Sequence, residues 1–339
     1  MNNEQIAREL GIPVIDANRK YWLVRTEKGS LWEEFKADSY IAINWNEFSN
    51  LSELAETDDS EAEKDLKIRI AELYEVDKPG TILNTIRRFV FEMQQGDVIM
   101  IPSPKSKIIS FGIVTSDCYI HTLTDEDFDN DLCDYIKRRN VRWIKDINKN
   151  NLDPLLFKML QAHQAVASAN DYANVIDRTL EPIYVKQNEV HVKIDINTPN
   201  RVGKNLVSLQ SLIYDEDMIS DSNNVHIKLN VQSPGFVEIL YTYLPDALKL
   251  AFVLNILIGG GKALGFELPG IIDLIEKYKR LQSSGNDKKI EKEKIEIELL
   301  QKFYGEDLKT LEIGILDNEL LNNVLKAGKN IEQNKIDRE

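Results

Sequence analysis

The sequence is poor in cysteine and lacks a signal for export. It contains two cysteines, Cys118 and Cys133, which show neither a Cys-x-x-Cys pattern nor metal-ligand spacing. This argues against a disulfide framework and against a thiolate zinc site. Residues 1–10 lack the basic start and apolar core of a signal peptide and predict a short amphipathic helix. We therefore expect a reduced, cytoplasmic setting.

Long uncharged apolar runs are missing as well. The segment most easily mistaken for a membrane span is residues 250–261, which lie between Lys249 and Lys262. It is shorter than the roughly 20 apolar residues that a helix needs to cross a bilayer. The pattern therefore predicts a buried helix that ends at glycines, and we expect no membrane association.

An excess of positive charge is also absent. The 339 residues include 56 acidic and 42 basic side chains, which gives a formal net charge of −14. Because phosphate contacts require a local density of Lys and Arg, this balance argues against general coating of nucleic acid. Any nucleic-acid binding must be confined to a patch. The hydrophobic fraction of 42% is that of a folded protein, and the length allows two domains with their own cores.

Catalytic motifs are lacking too. None of the four histidines lies in a His-Glu-x-x-His motif, and the chain has no serine elbow. Residues 259–262, Gly-Gly-Gly-Lys, follow a helical pattern and lack the Ser or Thr of a phosphate-binding loop. On the strand-like stretches of the second half, no Asp followed by (Glu/Asp)-x-Lys has the spacing that holds magnesium; residues 189–195 have the wrong spacing. We predict that the protein is not an enzyme and has no cofactor and no metal site.

One repeated pattern leaves an enzymatic alternative open. His191 with Lys193, and His226 with Lys228, occur in near-identical strand-like stretches. Period-2 alternation puts each His and Lys pair on one face of its strand. Two such histidines on adjacent strands would form an acid/base pair if both converged on one reacting group. Solvent-facing residues of a paired strand explain the pattern more simply.

What the sequence does contain is a mixed pattern of strands and helices. Short β-branched or aromatic stretches within residues 20–147 predict a small antiparallel barrel, and a helix over residues 82–93 is expected to pack on it. We predict an α+β fold in three parts. They are a barrel domain with the N-terminal helix at residues 1–147, an α+β domain with a short sheet and helices at residues 151–282, and a charged helical segment with a tail at residues 283–339.

The stretch from about residue 20 to 147 resembles a known domain. The resemblance is carried, in order, by residues 21–26, 32–35, 41–45, 96–102, 109–114 and 138–143. Their order and spacing resemble the PUA-like (EVE-like) domain found at the N-termini of some bacterial restriction-type proteins. The remainder of the chain resembles no family that we recognise.

The resemblance implies a pseudo-barrel that binds nucleic acid or a nucleotide, in some relatives by accepting a flipped or modified base. Such a base has lost its stacking, which aromatic side chains restore while polar groups read its edge. The resemblance also implies a bacterial antiviral-defence or restriction-linked setting. The candidate ligand-binding residues are Trp32, Asn44, Trp45, Ser110 and Trp143, and the candidate phosphate-binding residues are Lys105, Lys107, Arg138, Arg139 and Arg142.

Alternatives remain open for these residues and for the chain. Trp22 and Trp143 fit the core, Trp45 fits either a pocket or the core, and Arg138 with Arg139 fits a solvated turn. The carboxylates of residues 125–134 would pair with these arginines or mimic phosphate toward a protein partner. The chain would then be an interaction scaffold that uses its acidic loops and C-terminal helices, or a homo-oligomer. A further alternative is a membrane-active defence effector that uses residues 236–272.

Overall fold

The structure, a computed structural model, describes residues 2–55, 61–129, 132–198, 203–214, 225–230, 235–259, 304–305 and 307–314. The fold is α+β with a barrel-like region, as the sequence predicts. The chain divides into two compact units. The central unit is Asn18–Leu180, and the terminal unit combines Met1–Ala17 with Glu181–Glu339.

The strands are mostly short, because turn residues bound each stretch of β-branched and aromatic residues. In chain order they are β1 (Val14–Ile15), β2 (Tyr21–Val24), β3 (Tyr40–Ile43), β4 (Val98–Pro102), β5 (Ile108–Val114), β6 (Tyr119–Ile120), β7 (Lys137–Asn148), β8 (Val166–Ser168), β9 (Ile183–Lys186), β10 (Glu189–Ile196), β11 (Val225–Asn230), β12 (Gly235–Tyr241) and β13 (Ile313–Gly314).

The helices begin at recognisable signals. Asn2 and Gln5 form a capping box at the first helix, and Pro79 opens the fifth. In chain order the helices are α1 (Asn3–Leu10), α2 (Trp32–Ala37), α3 (Leu51–Ala55), α4 (Glu61–Tyr74), α5 (Pro79–Arg87), α6 (Asp125–Asp129), α7 (Leu156–Met159), α8 (Ala173–Leu180), α9 (Gly203–Ile213) and α10 (Leu244–Gly259). A π-turn, Arg88–Glu92, continues α5.

A seven-stranded sheet organises the central unit and curls into a half-barrel. Its strand order is β3-β7-β5-β4-β2-β8, and β6 pairs with β7. The prediction of a purely antiparallel barrel was wrong for one pair of strands, because β2 and β4 run parallel. Parallel pairing is possible since the long connection between them, which contains α2–α5, carries the chain back to the same end of the sheet.

The central sheet has an apolar core on each face. Trp22 and Ile99 face the first core, which α2–α5 cover. Tyr21 and Phe111 face the second core, which α7 and α8 cover. The alternation of side chains along each strand therefore separates the two cores. Trp22 is buried in the first core, as the sequence predicts.

The terminal unit has its own sheet, with the order β1-β9-β10-β12-β11 and with β13 paired to β10. The apolar residues of β10 and β12 form one core with residues of α1, α9 and α10. The two near-identical stretches are β10 and β11, and both lie in this sheet. They are not adjacent, because β12 lies between them.

The division of the chain differs from the predicted boundaries at residues 147 and 151. β8 pairs with β2, and α8 packs on the second core, so the central unit extends to Leu180. The predicted N-terminal helix, α1, belongs to the terminal unit, because β1 pairs with β9. Of the predicted third part, residues 283–339, only 304–305 and 307–314 lie within the described residues.

The apolar segment considered as membrane-active contains β12 and α10 in its described part. Leu250, Val253 and Leu257 of α10 are buried in the core of the terminal unit, so packing accounts for their apolar character. Among the described residues, no helix has both the length and the apolar character needed to cross a membrane. Residues 260–272 lie outside the described residues.

Candidate functional site

Trp45 lies directly after β3 and has an unusual backbone conformation. Its φ is 66°, in the left-handed region that aromatic residues rarely adopt. Three hydrogen bonds hold it there: its N–H donates to Asn44 Oδ1 at 2.6 Å, and its carbonyl accepts from Phe48 N at 3.0 Å and from Lys137 Nζ at 2.7 Å. The surrounding chain therefore fixes a backbone conformation that Trp45 would not adopt on its own.

The side chain of Trp45 is available for contact. It is half-buried against the first core. Within the described part of the chain its indole N–H has no hydrogen-bond partner, whereas those of Trp22, Trp32 and Trp143 each donate to a protein oxygen. A half-buried indole whose N–H has no partner in the described part of the chain offers a ligand both a stacking surface and a hydrogen bond.

Trp32 and Ser110 are brought together, as the candidate site requires. Trp32 is the first residue of α2, and its indole N–H donates to the hydroxyl of Ser110 on β5 at 2.9 Å. Ser110 is fully buried and Trp32 is half-buried. The serine hydroxyl is therefore engaged with the protein, and Trp32 is the more accessible member of the pair.

Tyr135 connects the parts of the site that surround the start of α2. Its hydroxyl donates to Glu27 Oε1 at 3.0 Å, and Asn44 hydrogen-bonds the same phenol. Glu27 lies in the loop that leads to Trp32, and Asn44 precedes Trp45. Burial, followed by the Glu27 carboxylate, raises the pKa of Tyr135, so this phenol remains a neutral donor. Hydrogen bonds thus connect Glu27, in the loop before α2, through Tyr135 to Asn44, which accepts from the Trp45 N–H.

The loops beside this site also carry strained backbone. Glu27 and Lys28 have φ values of 47° and 59°, and Lys105 in the β4–β5 hairpin has a φ of 57°. These two loops approach each other closely, since a Cβ on Gly29 would lie 2.3 Å from the Pro104 nitrogen. Left-handed non-glycine residues tend to cluster at ligand sites, where surrounding structure offsets their cost.

Trp143 belongs to the core side of the site. It packs against Gly112 of β5, where an added Cβ would lie 2.9 Å from its ring. Its indole N–H donates to the carbonyl of Phe35 at 3.1 Å, and the ammonium of Lys36 lies 4.9 Å from its ring centroid. The Trp143 side chain therefore packs between its own sheet and α2, consistent with its interpretation as a core residue.

The assignment of Arg139 to phosphate contacts was wrong. Its guanidinium is buried and donates to the carbonyls of Phe89 at 2.7 Å, Val90 at 2.8 Å and Ser116 at 2.9 Å. All three nitrogens are thus engaged with main-chain oxygens. The side chain points into the first core because successive side chains of β7 point to opposite faces of the sheet. The sequence interpretation placed the two arginines in a turn and did not consider this alternation.

The assignment of Arg138 to phosphate contacts was wrong for a similar reason. Its guanidinium donates to the carbonyls of Tyr135 at 2.9 Å and Cys133 at 2.7 Å, and it lies 4.4 Å from the ring centroid of Tyr40. The residue is buried. Neither arginine forms a solvated turn, and both stabilise the chain around β7.

The remaining cations of the predicted set differ in position. Arg142 is exposed, but it alternates with Val141 and Trp143, which face the first core, so it lies on the opposite face of β7 from the aromatic site. Lys105 and Lys107 are exposed in the β4–β5 hairpin, next to the loop at Gly29. Lys105 and Lys107 are therefore the predicted phosphate-binding residues that stay near the site.

The acidic stretch before β7 forms a surface helix in its described part. α6 is capped by Thr124, whose N–H donates to Asp127 Oδ2 at 2.7 Å. Phe128 on this helix is 64% exposed. Since Arg138 and Arg139 donate to main-chain carbonyls, the described carboxylates of this stretch are not their partners.

The His-x-Lys repeat has a defined register in the terminal sheet. His191 and His226 both lie opposite Leu240 of β12, and Lys193 and Lys228 both lie opposite Glu238. Strands lie about 4.8 Å apart, so the two histidine Cα atoms are about 10 Å apart. These positions follow from the shared register of β10 and β11 against β12.

The two histidines have different surroundings. His191 is buried, its Nδ1 lies 3.4 Å from Glu238 Oε1, and its ring stacks on Tyr184 at 4.5 Å. His226 is exposed on β11. Because Leu240 lies between them and His191 is bonded to Glu238, the described geometry does not bring both imidazoles to one reacting group. Among the described residues no group of three or more His, Cys, Asp or Glu side chains could hold a metal ion.

Sequence reasoning missed two residues of the site, Lys137 and Tyr135. Tyr135 lies just before β7 and Lys137 is its first residue, next to the two arginines that were predicted to contact phosphate. The usable signal was alternation along β7, which puts Lys137 on the same face as Arg139 and Val141. Their contacts with Trp45 and Glu27 join residues far apart in the chain and follow from strand pairing.

A comparison with family models matches a segment close in extent to the central unit. Residues 20–167 match a family model described as a domain of unknown function (DUF8426). The match begins at β2, ends in β8, and lies wholly within the central unit. No curated protein matches the chain. The central unit is thus similar to a family whose description names no activity.

Proposed function

We propose that the central unit binds nucleic acid, through a nucleobase or modified nucleobase that stacks on Trp45, and that the protein acts as a non-enzymatic sensor. The observation that carries the proposal is the conformation of Trp45, a left-handed aromatic residue with a half-buried indole whose N–H has no partner among the residues that the structure describes. A protein that maintains such strain at an accessible aromatic residue has a use for that residue.

The chemistry of the surrounding residues supports a base as the ligand. Asn44 provides a polar group beside Trp45 and hydrogen-bonds the Tyr135 phenol. Trp32, in the helix that follows the Glu27 loop, is a second half-buried aromatic residue. Aromatic stacking with a few polar readers is how proteins hold an unstacked base. Lys105 and Lys107, exposed in the neighbouring hairpin, are the residues that would contact phosphates.

The resemblance to PUA-like domains supports a bacterial setting linked to restriction or antiviral defence. It concerns the same part of the chain that contains the aromatic site. Two free cysteines, one of them buried, are consistent with a reduced, cytoplasmic environment. The terminal unit would then transmit the signal or assemble with a protein partner or a second copy.

Replacement of Trp45 tests the proposal. We expect Trp45→Ala to weaken binding of a fluorescein-labelled oligonucleotide by about 1–3 kcal/mol, roughly 5- to 150-fold in Kd, because stacking on one base contributes that much. Fluorescence anisotropy at fixed salt measures the change. Single- and double-stranded oligonucleotides, with and without modified bases, identify the form that binds.

Phe91→Ala is the matched control. Phe91 is an aromatic residue that is 41% exposed in the same unit, in the π-turn after α5. Its replacement should leave Kd unchanged. Equal losses in both variants, or the absence of oligonucleotide binding in the wild type, would count against the nucleic-acid proposal.

A protein-interaction function is the second candidate, and Phe128 favours it. This residue is 64% exposed on α6, among aspartates, where a large apolar side chain gains nothing from solvent. A basic protein partner would suit that surface. Such a partner would be lost on Phe128→Ser and retained on Trp45→Ala, which separates the two candidates.

A further inference from the structure

Lys137 presents a cation where the protein gives it little compensation. Its side chain is 0% exposed, and within the described part of the chain its ammonium donates one hydrogen bond, to the Trp45 carbonyl at 2.7 Å. An ammonium has three donors and loses strong hydration on burial. A methionine would fill a similar volume in this core without that cost, so the charge at this position calls for a function.

The contact of Lys137 is with the strained residue of the site. Left-handed backbone costs about 1–3 kcal/mol for a non-glycine residue, and it persists only when the surroundings impose it. Asn44 and Phe48 bond Trp45 from within the same turn, so they move with it. Lys137 bonds it from β7, which is anchored by pairing with both β3 and β5. Asn46 also bonds the chain just before β7, at the Asp134 carbonyl and the Ile136 N–H, but Lys137 bonds the Trp45 carbonyl itself from within the sheet.

We propose that Lys137 is the positioning residue of the aromatic site: through the Trp45 carbonyl, its ammonium holds Trp45 in the left-handed conformation that presents the indole. The inference rests on the proposed function and extends it to a dependence on protonation. A charged donor bonds a carbonyl about twice as strongly as a neutral one. Loss of the proton therefore loosens Trp45 and lowers the fraction of molecules with an assembled site.

The titration of this residue falls within an accessible pH range. Burial lowers the pKa of Lys137 to about 8, and the neighbouring Cys118 and Glu47 oppose that effect. Burial raises the pKa of Cys118 to about 11, and a hydrogen bond from Tyr74 lowers the pKa of Glu47. Neither Cys118 nor Glu47 changes charge near pH 8, so among these described groups the ammonium of Lys137 is the one that titrates there.

The direction of the effect follows. Lys137 is mostly charged at about pH 7 and mostly neutral at about pH 9, so the site is assembled at the lower pH and relaxed at the higher one. If only the charged form binds, the apparent affinity falls about tenfold between these pH values.

The first experiment observes Trp45 without a ligand. The difference between the fluorescence spectra of the full-length wild type and the Trp45→Phe variant isolates the emission of Trp45. We expect this emission to change between about pH 6.5 and 9.5 with a midpoint near 8. Lys137→Met should show the high-pH spectrum throughout, and Lys137→Arg, which keeps its charge, should remove the transition. A flat wild-type signal, or a transition that persists in Lys137→Met, would overturn the inference.

The second experiment measures oligonucleotide binding at about pH 7 and about pH 9 at constant salt, with a tenfold loss of affinity expected in the wild type. Binding that is equal at both values overturns the role of Lys137 and leaves the proposed function intact. The fluorescence of Trp45 could also change near pH 8 while no oligonucleotide binds at any pH. In that case the positioning role of Lys137 stands and the proposed ligand is wrong. Neither the Trp45 titration nor the wild-type binding measurement needs a Lys137 variant, so both remain decisive if Lys137→Met fails to fold.

Discussion

Arg139 and Lys137 lie two residues apart on β7, and both are cations buried against the first core. Arg139 uses all its nitrogens on three carbonyls, those of Phe89 and Val90 in the π-turn and that of Ser116. Its planar, forked guanidinium suits several carbonyls at once, whereas the point charge of Lys137 serves one. The two side chains thus have different roles in spite of equal charge.

At the residue scale, we predict that Arg139→Gln destabilises the central unit by about 3 kcal/mol, because it removes charge-assisted hydrogen bonds and leaves buried carbonyls unpaired. Urea unfolding followed by tryptophan fluorescence measures this, since all four tryptophans lie in the central unit. Arg142→Gln, at an exposed position of the same strand, should change stability by less than about 0.5 kcal/mol. Similar values for both variants would refute the structural role of Arg139.

At the scale of elements, the pairing of β5 with β7 decides where the aromatic residues lie. Gly112 pairs with Trp143, next to a register shift between Phe111 and Gly112. An added Cβ on Gly112 would lie 2.4 Å from Val141 Cγ1 and 2.9 Å from Trp143 Cε3. The absence of a side chain on β5 is therefore what lets Trp143 lie flat against the sheet beneath α2.

We predict that Gly112→Ala costs about 1–3 kcal/mol through overpacking at this pairing. Gly80→Ala is the matched control, because its Cβ would meet only Lys67 Cε at 3.7 Å. In the first turn of α5 that change should be neutral or stabilising by up to about 1 kcal/mol. Chemical denaturation of both variants gives the comparison, and a neutral Gly112→Ala would show that the strands accommodate the methyl group.

On the scale of the whole molecule, the N-terminus belongs to the unit that the C-terminal half forms. Asn3 donates to the carbonyls of Asn188 at 2.6 Å and Thr242 at 2.8 Å, and its Oδ1 accepts from Leu244 N at 3.0 Å. These bonds join α1 to the β9–β10 turn and to the start of α10. The central unit is thus an insertion in the chain of the terminal unit.

We predict that Asn3→Ala destabilises the terminal unit by about 2–3 kcal/mol, because buried main-chain groups lose their partners. Circular dichroism, which reports on both units, should show a lower unfolding temperature, while tryptophan fluorescence, which reports on the central unit, should not change. Arg8→Ala, at a side chain that is 68% exposed, should leave both signals unaltered. A shift of both transitions by Asn3→Ala would show that the units unfold together.

Much of the local structure was predictable because its signals are local. Period-2 stretches predicted some strands of each sheet, among them β10 and β11. Alternation also predicted the burial of Trp22. The candidate residues Trp32 and Ser110 proved to be in direct contact. Each of these predictions depends on a few neighbouring side chains or on the resemblance of the 20–147 region.

The tertiary structure decided which charged and aromatic groups remain accessible. Lys137, Arg138 and Arg139 follow one another in sequence as a basic cluster, yet all three are buried and bonded to carbonyls. The carbonyls that Lys137 and Arg139 bond belong to residues far away in the chain. The parallel pairing of β2 with β4 and the return of the N-terminus to β9 are equally non-local. The sequence by itself determined the elements and their apolar faces, because periodicity is written along the chain. Strand pairing determined the site, because burial and hydrogen-bond partners depend on residues that the chain brings together only when it folds.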